Sequence, residues 1–365
     1  MSTREQQVLS LIREDPMTPQ QAIAERLGMS RSAVAAHIMN LTHKGLIKGR
    51  GYILSDSPFV AIVGGANLDI HGRSKGKLRQ RDSNPGDVLI SAGGVARNIA
   101  ENLARLGADS RLVSAVGADQ HGQLLTKLSR EAGIDVQHMH TISSAKTSTY
   151  ISVVDDDGDM LLGINDMGIV EMISVEMLQN QAAMLKRASL VVIDSNLHSD
   201  TLAWLFDVLS DVPIFADAVS VAKAPRLLPH LGKIHTLKAG ANEVEALLDS
   251  DASNQAQIEQ ATAALHARGV ERVFITRGEK GVYFSDGATS GARAASSSPH
   301  DVRNAGGAGD AFLAGLAYSW LQSWDVEESI NFSLAVAELT LAHPGTNNPA
   351  LSLARVQQAM EQLHA

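Results

Sequence analysis

A glycine-rich turn that ends in an aspartate lies near the C-terminus. It reads Gly307-Ala308-Gly309-Asp310 and precedes an apolar helical stretch. Main-chain N–H groups at a helix N-terminus bind anions such as a phosphoryl group, because they have no partner within the helix and the helix dipole favours negative charge. A carboxylate beside phosphate is explained if it accepts the proton of an attacking hydroxyl. We therefore predict a general base at Asp310 and phosphoryl-binding amides at Gly307, Ala308 and Gly309; the alternative is that Asp310 caps the helix.

A second pair of glycines, Gly93 and Gly94, follows the strand-like run 88–91. It precedes a segment with helical spacing of apolar residues that includes Asn98. Glycine carries no Cβ, so the main chain can approach a small ligand closely at such a position. This segment is therefore a predicted binding site for a small ligand.

The two motifs together resemble the ribokinase, or pfkB, family of carbohydrate and nucleoside kinases. The resemblance covers about residues 59 to 360. Four further motifs of the family occur in order along the chain: Gly64-Gly-Ala-Asn67-Leu-Asp69, Gly117-Ala-Asp119-Gln-His-Gly122, Asn242-Glu-Val-Glu245 and Thr276-Arg-Gly278-Glu-Lys-Gly281.

The resemblance implies a phosphotransferase that uses ATP and Mg²⁺, and it assigns roles to individual residues. The sugar hydroxyls are then bound by Asn67, Asp69, Asn98 and the main chain of Gly93 and Gly94. The nucleotide is bound by Asn242, Thr276, Gly278, Gly281 and Asn347, and Mg²⁺ by Glu245 through water. From the residues alone, Asn242 and Glu245 fit a capped helix start equally well, and Asn67 and Asp69 fit a turn.

Two departures from the family pattern affect the predicted substrate and the predicted dependence on a monovalent cation. Val95 stands where ribokinases carry lysine, which argues against free ribose, and Asn304-Ala305-Gly306 replaces Asp-Thr-Thr, which leaves dependence on a monovalent cation open. The run Gly-Gly-Val-Ala-Arg-Asn98, with Asn304, resembles the pseudouridine kinase branch.

The predicted acceptor is therefore the 5′-hydroxyl of a nucleoside, either pseudouridine or a purine nucleoside such as inosine. The polar candidates to contact its base are Asn165, Asp166 and Asn196. A fructose-, ribose- or phosphosugar-type kinase is the alternative within enzymes.

Short β-rich runs alternate with helical ones through residues 59–365. This alternation predicts an α/β fold with a parallel sheet flanked by helices, whose ligands bind beyond the carboxyl ends of the strands. Residues 71–90 and 147–164 interrupt the pattern. In the family, insertions here form a small β-sheet lid over the substrate that often also makes a dimer contact, so a homodimer is expected.

Residues 1–54 form a separate predicted domain, joined by a linker at 55–58. Two predicted helices joined by a turn that contains Gly28 have the layout of helix-turn-helix proteins. Residues 45–54 resemble the wing of a winged helix. The candidate DNA contacts are Arg31, Ser32, His37, Asn40 and Lys44. The alternative is a three-helix docking or dimerisation domain.

Composition narrows the function classes further. The 365 residues carry a net charge of −9, with about +2 on residues 1–57, so non-specific attraction of the whole protein to nucleic acid is disfavoured. There is no cysteine, and no apolar run approaches the ~18 residues that cross a bilayer. Residues 1–7 lack the apolar core of a secretion signal, so the cytoplasm is the predicted location.

A rival from another class is a transcriptional regulator whose kinase fold only senses a ligand. The intact Gly-Ala-Gly-Asp310 segment disfavours it, because a sensor needs no catalytic base.

Overall fold

The computed structural model describes residues 1–48, 58–155, 160–295 and 306–363. The chain divides into two compact units, one of Met1–Pro58 with Glu176–Ala188 and one of Phe59–Val175 with Ser189–Ala365. No helix in the described ranges is both long and apolar enough to cross a membrane.

The N-terminal part of the first unit, residues 1–48, contains three helices, α1 (Thr3–Glu14), α2 (Gln20–Leu27) and α3 (Arg31–His43). Gly28 ends α2 in the left-handed conformation with φ 61°, and Ser30 caps α3 by accepting the N–H of Ala33. One apolar cluster holds the helices together, built from residues such as Ile12, Ile23 and Leu41. Most of the predicted wing lies outside the described residues, which here end at Lys48.

The second unit is built on an eight-stranded sheet with the order β14-β13-β12-β11-β10-β9-β1-β4. Its strands from β12 to β4 are parallel, whereas β13 and β14 form an antiparallel edge that the alternation pattern does not predict. In chain order the strands of the unit are β1 (Phe59–Val63), β2 (Asn67–Ser74), β3 (Gly86–Gly93), β4 (Asp109–Val113), β5 (Ala115–Gly117), β6 (His140–Ile142), β7 (Thr149–Val154), β8 (Met160–Asp166), β9 (Leu190–Asp194), β10 (Ile214–Asp217), β11 (Thr236–Gly240), β12 (Arg272–Thr276), β13 (Val282–Ser285) and β14 (Ser290–Arg293).

Helices follow most of these strands. They are α4 (Val95–Arg105), α5 (Gln120–Glu131), α6 (Gly168–Glu171), α7 (Val175–Gln179), α8 (Ala182–Leu185), α9 (Ser199–Val208), α10 (Ala241–Leu248), α11 (Gln255–Ala267), α12 (Ala308–Leu321), α13 (Val326–Leu341) and α14 (Leu353–Leu363), with 3₁₀ turns at Ala224–Lys233 and Gly278–Lys280. Every residue of β1, β9 and β10 is buried, as expected for a parallel sheet that is covered on both faces. Apolar residues of α4, α12 and α13 share one core cluster with this sheet.

A smaller sheet of four strands, which we call the lid sheet, has the order β3-β2-β7-β8. The predicted lid segments, 71–90 and 147–164, fall in it, but the sheet begins earlier, at Asn67. Asn67 and Asp69 therefore lie in a strand, and the alternative of a turn is wrong for them. The reason is pairing: β2 pairs with β3 along its whole length, from Asn67 opposite Gly93 to Ser74 opposite Gly86.

Candidate active site

Asp310 lies in the first turn of α12, 8% exposed, at the carboxyl edge of the main sheet. Its Oδ2 accepts a hydrogen bond of 2.8 Å from Nδ2 of Asn98. Burial, and then the charge of Asp217, raise the pKa of Asp310 to about 7, against the opposing effects of Lys238 and Asn98. The residue at the N-cap is Gly307, so the alternative that Asp310 caps the helix is wrong. A carboxyl whose pKa lies near neutrality is suited to accept a proton.

A lysine that sequence reasoning missed lies beside this carboxylate. The register of the sheet pairs Asp217 with Asp194 on one side and with Lys238 on the other, which places all three in a row. Lys238 Nζ donates to Asp217 Oδ2 at 3.1 Å. Burial alone would lower the pKa of Lys238, but Asp217 and Asp310 outweigh it and the pKa is raised. Lys238 is therefore a fixed positive charge at the predicted phosphoryl site.

Asp194, the third member of the row, joins the acceptor and catalytic segments. It is fully buried, and its Oδ2 accepts the main-chain N–H groups of Gly65 at 2.8 Å and Ala96 at 3.2 Å. These bonds tie the turn after β1 and the start of α4 to the end of β9. Asp194 thereby positions the helix that carries Asn98.

Two glycines of the C-terminal turn are required because a side chain at either position would clash with a neighbouring group. Gly307 has φ 80°, and a Cβ there would overlap the main-chain oxygen of Thr346. A Cβ on Gly309 would meet the ammonium group of Lys238. The N–H groups of this first helical turn have no partner within the helix, and Lys238 lies against them, so the turn can bind a phosphoryl oxygen.

The predicted acceptor residues lie at the base of the lid sheet. Asn67 Nδ2 donates to Asp69 Oδ1 at 2.6 Å, and both side chains are buried. Burial raises the pKa of Asp69, while the bond from Asn67 opposes the rise. A Cβ on Gly93 would overlap the Asp69 carboxylate, and Gly94 begins α4 with φ 98°. The structure thus brings Asn67, Asp69 and Gly93 together.

The predicted pair Asn165 and Asp166 is divided between the two faces of the lid sheet. Asn165 pairs with Tyr150, which pairs with Asp69, so these three share one face. Asp166 pairs with Thr149 and shares the opposite face with Leu68. Successive strand residues point to opposite faces, so both cannot contact one ligand. Asn165 shares the face of Asp69, whereas Asp166 lies on the other face, and a contact of either residue with a ligand stays a prediction.

A cavity of about 470 Å³ adjoins the glycine turn. It is lined by Thr276, Gly278, Gly281 and Gly309, and its apolar wall includes Phe312 and Leu341. This volume is suited to a nucleobase with its sugar. The positions agree with the predicted nucleotide residues Thr276, Gly278 and Gly281.

Asn347, also predicted for the nucleotide, lies elsewhere. Its Nδ2 donates to Asn98 Oδ1 at 2.6 Å, and it does not line the 470 Å³ cavity among the described residues. Its Oδ1 accepts from Asn102 Nδ2 at 2.9 Å, so both ends of this carboxamide contact α4. The structure therefore gives the Asn347 side chain partners on α4, and its predicted nucleotide role stays a prediction.

A second cavity of about 840 Å³ shares Thr276 and Gly278 with the first and contains Asn242, Glu243 and Lys238. Helix α10 begins at Ala241, with Gly240 at its N-cap, so Glu243 is its third residue and accepts the Gly240 N–H. Asn242 is thus not a cap.

The same helix start turns the predicted metal ligand Glu245 away from this cavity, and its metal role stays a prediction. Its Oε1 accepts the N–H of Ala252 at 2.9 Å, and it does not line the 840 Å³ cavity as described. Glu243, which sequence reasoning missed, carries the carboxylate that faces this cavity. The described residues contain no cluster of three or more His, Cys, Asp or Glu arranged to hold a metal. A single carboxylate nevertheless fits Mg²⁺, which keeps several waters and also binds substrate phosphates.

In the first unit, the predicted DNA contacts lie on or next to α3. Arg31, Ser32 and Asn40 are exposed, and His37 is half-buried. Lys44 instead forms an ion pair with the buried Glu5 at 2.7 Å, and its hydrogen bond lowers the pKa of Glu5. The ion pair holds α1 against the end of α3, and the predicted DNA role of Lys44 stays a prediction.

Comparison with known proteins identifies the larger unit. The family model described as pfkB family carbohydrate kinase matches residues 57–353. The chain belongs to the pfkB family of carbohydrate kinases. Residues 1–48 match a second family model, described as winged helix-turn-helix DNA-binding. The predicted family and the predicted α/β fold are thereby confirmed.

Relatives within the pfkB family cover most of the chain. The uncharacterized sugar kinase YeiI of Escherichia coli is 38% identical over 96% of this chain and 97% of its own length. The pseudouridine kinase of Escherichia coli is 38% identical over 84% of this chain and 98% of its own length. A carbohydrate kinase structure from Agrobacterium tumefaciens is 25% identical with a TM-score of 0.73, and the match covers 83% of this chain and 97% of that one. The protein is accordingly a phosphotransferase of the pfkB type.

Proposed function

We propose that this pfkB kinase transfers the γ-phosphoryl group of ATP to the 5′-hydroxyl of a nucleoside, with pseudouridine as the first candidate. The observation that carries the proposal is Asp310: a buried carboxylate with a pKa of about 7, in the first turn of a helix and beside a buried lysine. The 38% identity to a pseudouridine kinase supports the nucleoside.

In the proposed reaction, Asp310 accepts the proton of the 5′-hydroxyl as its oxygen bonds to the γ-phosphorus. The bond from that phosphorus to the bridging oxygen breaks, and the electron pair leaves with ADP. The N–H groups of Gly307, Ala308 and Gly309, with Lys238, stabilise the charge on the phosphoryl oxygens. Glu243 would hold Mg²⁺ at this cavity, and the bound ion would neutralise part of the phosphate charge.

A coupled assay of ADP release tests this proposal. Mg-ATP is combined in turn with pseudouridine, inosine, guanosine, cytidine, uridine, ribose and fructose. Turnover of a nucleoside supports the proposal. Turnover of sugars alone keeps the mechanism and rejects the nucleoside, and turnover of none rejects the activity with these acceptors. Dependence on a monovalent cation is read from the same assay with K⁺ replaced by a large organic cation; Asn304, on which the prediction depends, lies outside the described residues.

The pH dependence follows from the raised pKa of Asp310. Only the ionised carboxylate accepts a proton, so we expect kcat/KM to fall about tenfold per pH unit below about 7 and to level off above it. A pH–rate profile between 5.5 and 9 measures this. A profile that stays flat down to pH 5.5 would contradict an Asp310 base with this pKa.

Two neighbouring glutamates give a matched test of the metal site. We expect Glu243→Gln to raise the Mg²⁺ concentration for half-maximal rate roughly 10- to 100-fold, because it removes the charge that faces the cavity and keeps an oxygen for the Gly240 N–H. Glu245→Gln keeps its acceptor for Ala252 and is the control. Equal Mg²⁺ requirements in the two variants would remove Glu243 from the site.

We further propose that the first unit binds DNA through the exposed residues Arg31, Ser32 and Asn40 of α3. The match to a DNA-binding winged helix-turn-helix supports this, since the third helix of such domains reads the major groove. We expect Arg31→Ala to lower the slope of log affinity against log salt by about 1, the value of one phosphate contact.

The probe for this measurement is a pool of random-sequence DNA duplexes, and Arg13→Ala on α1 is the control. An unchanged slope in Arg31→Ala would exclude Arg31 from the DNA interface. A chain that binds no duplex in the pool would favour the docking alternative for this unit.

We also infer a homodimer that forms through the lid sheet. Ile90, Ile70, Ile151 and Ile164 pair in one row across all four strands. Three of the four isoleucines are exposed, Ile164 by 53%. Apolar surface of this kind is typical of an interface between subunits. Sedimentation of the full chain measures the oligomeric state.

A further inference from the structure

Three buried asparagine side chains connect a main-chain carbonyl of α4 to the carboxylate of Asp310. Asn102 Nδ2 donates to the carbonyl oxygen of Asn98 and to Asn347 Oδ1, both at 2.9 Å. Asn347 Nδ2 donates to Asn98 Oδ1 at 2.6 Å, and Asn98 Nδ2 donates to Asp310 Oδ2 at 2.8 Å. Asn98, Asn102 and Asn347 are all buried, so water does not compete for these bonds.

The donor-to-acceptor direction of the hydrogen bonds in this amide chain is set at the end that is away from Asp310. A main-chain carbonyl only accepts hydrogen bonds, so the Asn102 atom that faces it must be the nitrogen. Asn347 must then present its oxygen to Asn102 and its nitrogen to Asn98. Asn98 in turn accepts through Oδ1, which leaves its nitrogen to face Asp310. Each amide has one orientation that satisfies both of its neighbours.

We propose that Asn102 and Asn347 are positioning residues, which hold the Asn98 carboxamide with its N–H towards Asp310 so that Asp310 works as a base. The role of Asp310 in this inference rests on the proposed function. Without the two residues, the Asn98 amide can rotate, and its oxygen would then face a carboxylate oxygen. That arrangement is repulsive unless Asp310 is protonated, and a protonated carboxyl accepts no proton from a substrate.

Other charges also act on Asp310, and their positions do not depend on the amide chain. Asp217 and Asp194 raise the pKa of Asp310, and Lys238 lowers it. These three side chains are on strands β9, β10 and β11, whereas the amide chain is on α4 and the C-terminal loop. Variants of the asparagines therefore change one contribution and leave the others in place.

The test compares Asn347→Ala with Asn348→Ala. The two asparagines are neighbours in one loop and similarly buried, but Asn348 bonds only main-chain groups of Leu339 and Ala350 among the described residues. Asn102→Ala is the second variant, because it is two amides away from Asp310 and adds no charge. Thermal melts of the full chain establish that each variant is folded.

The kinetic readout separates positioning from a general loss of structure. We expect Asn347→Ala to lower kcat roughly 10- to 100-fold, as for loss of one hydrogen bond to a charged group, with KM for ATP within about twofold. We expect the acid limb of its kcat/KM profile to move to higher pH, since the lost N–H stabilised the ionised carboxylate. We expect Asn102→Ala to move the acid limb in the same direction and Asn348→Ala to leave it unchanged.

A second readout does not need activity. NMR of chains labelled with ¹³C-aspartate, with the Asp310 signal assigned by Asp310→Asn, measures the pKa of this carboxyl directly. A higher pKa of Asp310 in Asn347→Ala and Asn102→Ala, but not in Asn348→Ala, supports the amide chain. An unchanged pKa of Asp310 in both variants, or an equal rise in Asn348→Ala, overturns it. If no acceptor is phosphorylated, the proposed function fails, while the titration still decides the inference.

Discussion

Replacing Asp310 with asparagine is expected to lower kcat on the order of 10²–10⁴-fold while the fold is kept. The amide is nearly isosteric, and its oxygen can still accept the hydrogen bond from Asn98. What it loses is the ability to take the proton of the acceptor hydroxyl. KM for ATP is expected to change little, because the N–H groups of the turn remain. Steady-state kinetics with the best acceptor from the ADP-release assay measure both values.

Asp310→Asn is expected to raise the stability of the fold while it lowers kcat. A measured gain in stability therefore shows that the loss of activity does not come from misfolding. The pKa of Asp310 is about 7 in the folded chain against ~3.9 when unfolded, so the fold loses stability as pH rises from about 4 to 7. Asparagine carries no charge, and we expect Asp310→Asn to melt at a higher temperature than the natural chain at pH 8, by a margin that shrinks towards pH 4. Near-normal turnover in a folded Asp310→Asn variant would exclude the residue as the base.

The second large effect is expected at Lys238. Lys238→Met leaves the buried Asp217 without its cation and removes the positive charge that lowers the pKa of Asp310. We expect kcat/KM at pH 7.5 to fall about 10²–10³-fold, because the phosphoryl charge loses a fixed partner and more Asp310 is protonated. We also expect the free energy of unfolding to drop by about 3–5 kcal/mol, as when one partner of a buried ion pair is removed.

Lys233→Met is the matched control for Lys238→Met, since Lys233 pairs with Asp207 at the surface. Denaturant titration and the ADP-release assay are applied to both variants. The loss of stability in Lys238→Met should diminish below pH 7, where Asp310 becomes protonated. A Lys238→Met variant with kcat/KM within threefold of the natural chain would contradict the role of this lysine.

The features predictable from sequence are those with local causes. A glycine turn before an apolar helix marks Asp310, because the conformation and the anion site are both set within a few residues. Strands such as β1 and β12 are equally visible as short apolar runs. The predicted bounds of α2 depend on Gly28, which ends that helix by its own conformation.

The features that the sequence analysis missed depend on which segments, distant along the chain, come into contact in the fold. Asp217 and Lys238 become neighbours only through the register of β10 and β11, and strand order has no signature in local periodicity. The choice of Glu243 over Glu245 depends on where β11 ends, since Gly240 takes the cap although Asn242 is a better capping type. The separation of Asn165 from Asp166 was missed for a similar reason, because the sequence alone did not show that both residues lie in one strand.

The amide chain also constrains the order of events while the protein is being made. Asn98 and Asp310 are 212 residues apart, and Asn98 and Asn347 are 249 residues apart. Domains generally fold as they leave the ribosome, N-terminal ones first. The helix-turn-helix unit has its own apolar core in residues 8–47 and can form early. The amide chain that leads to Asp310 is complete only when residue 347 has emerged. Under the two proposed functions, a nascent chain would therefore gain DNA binding before kinase activity.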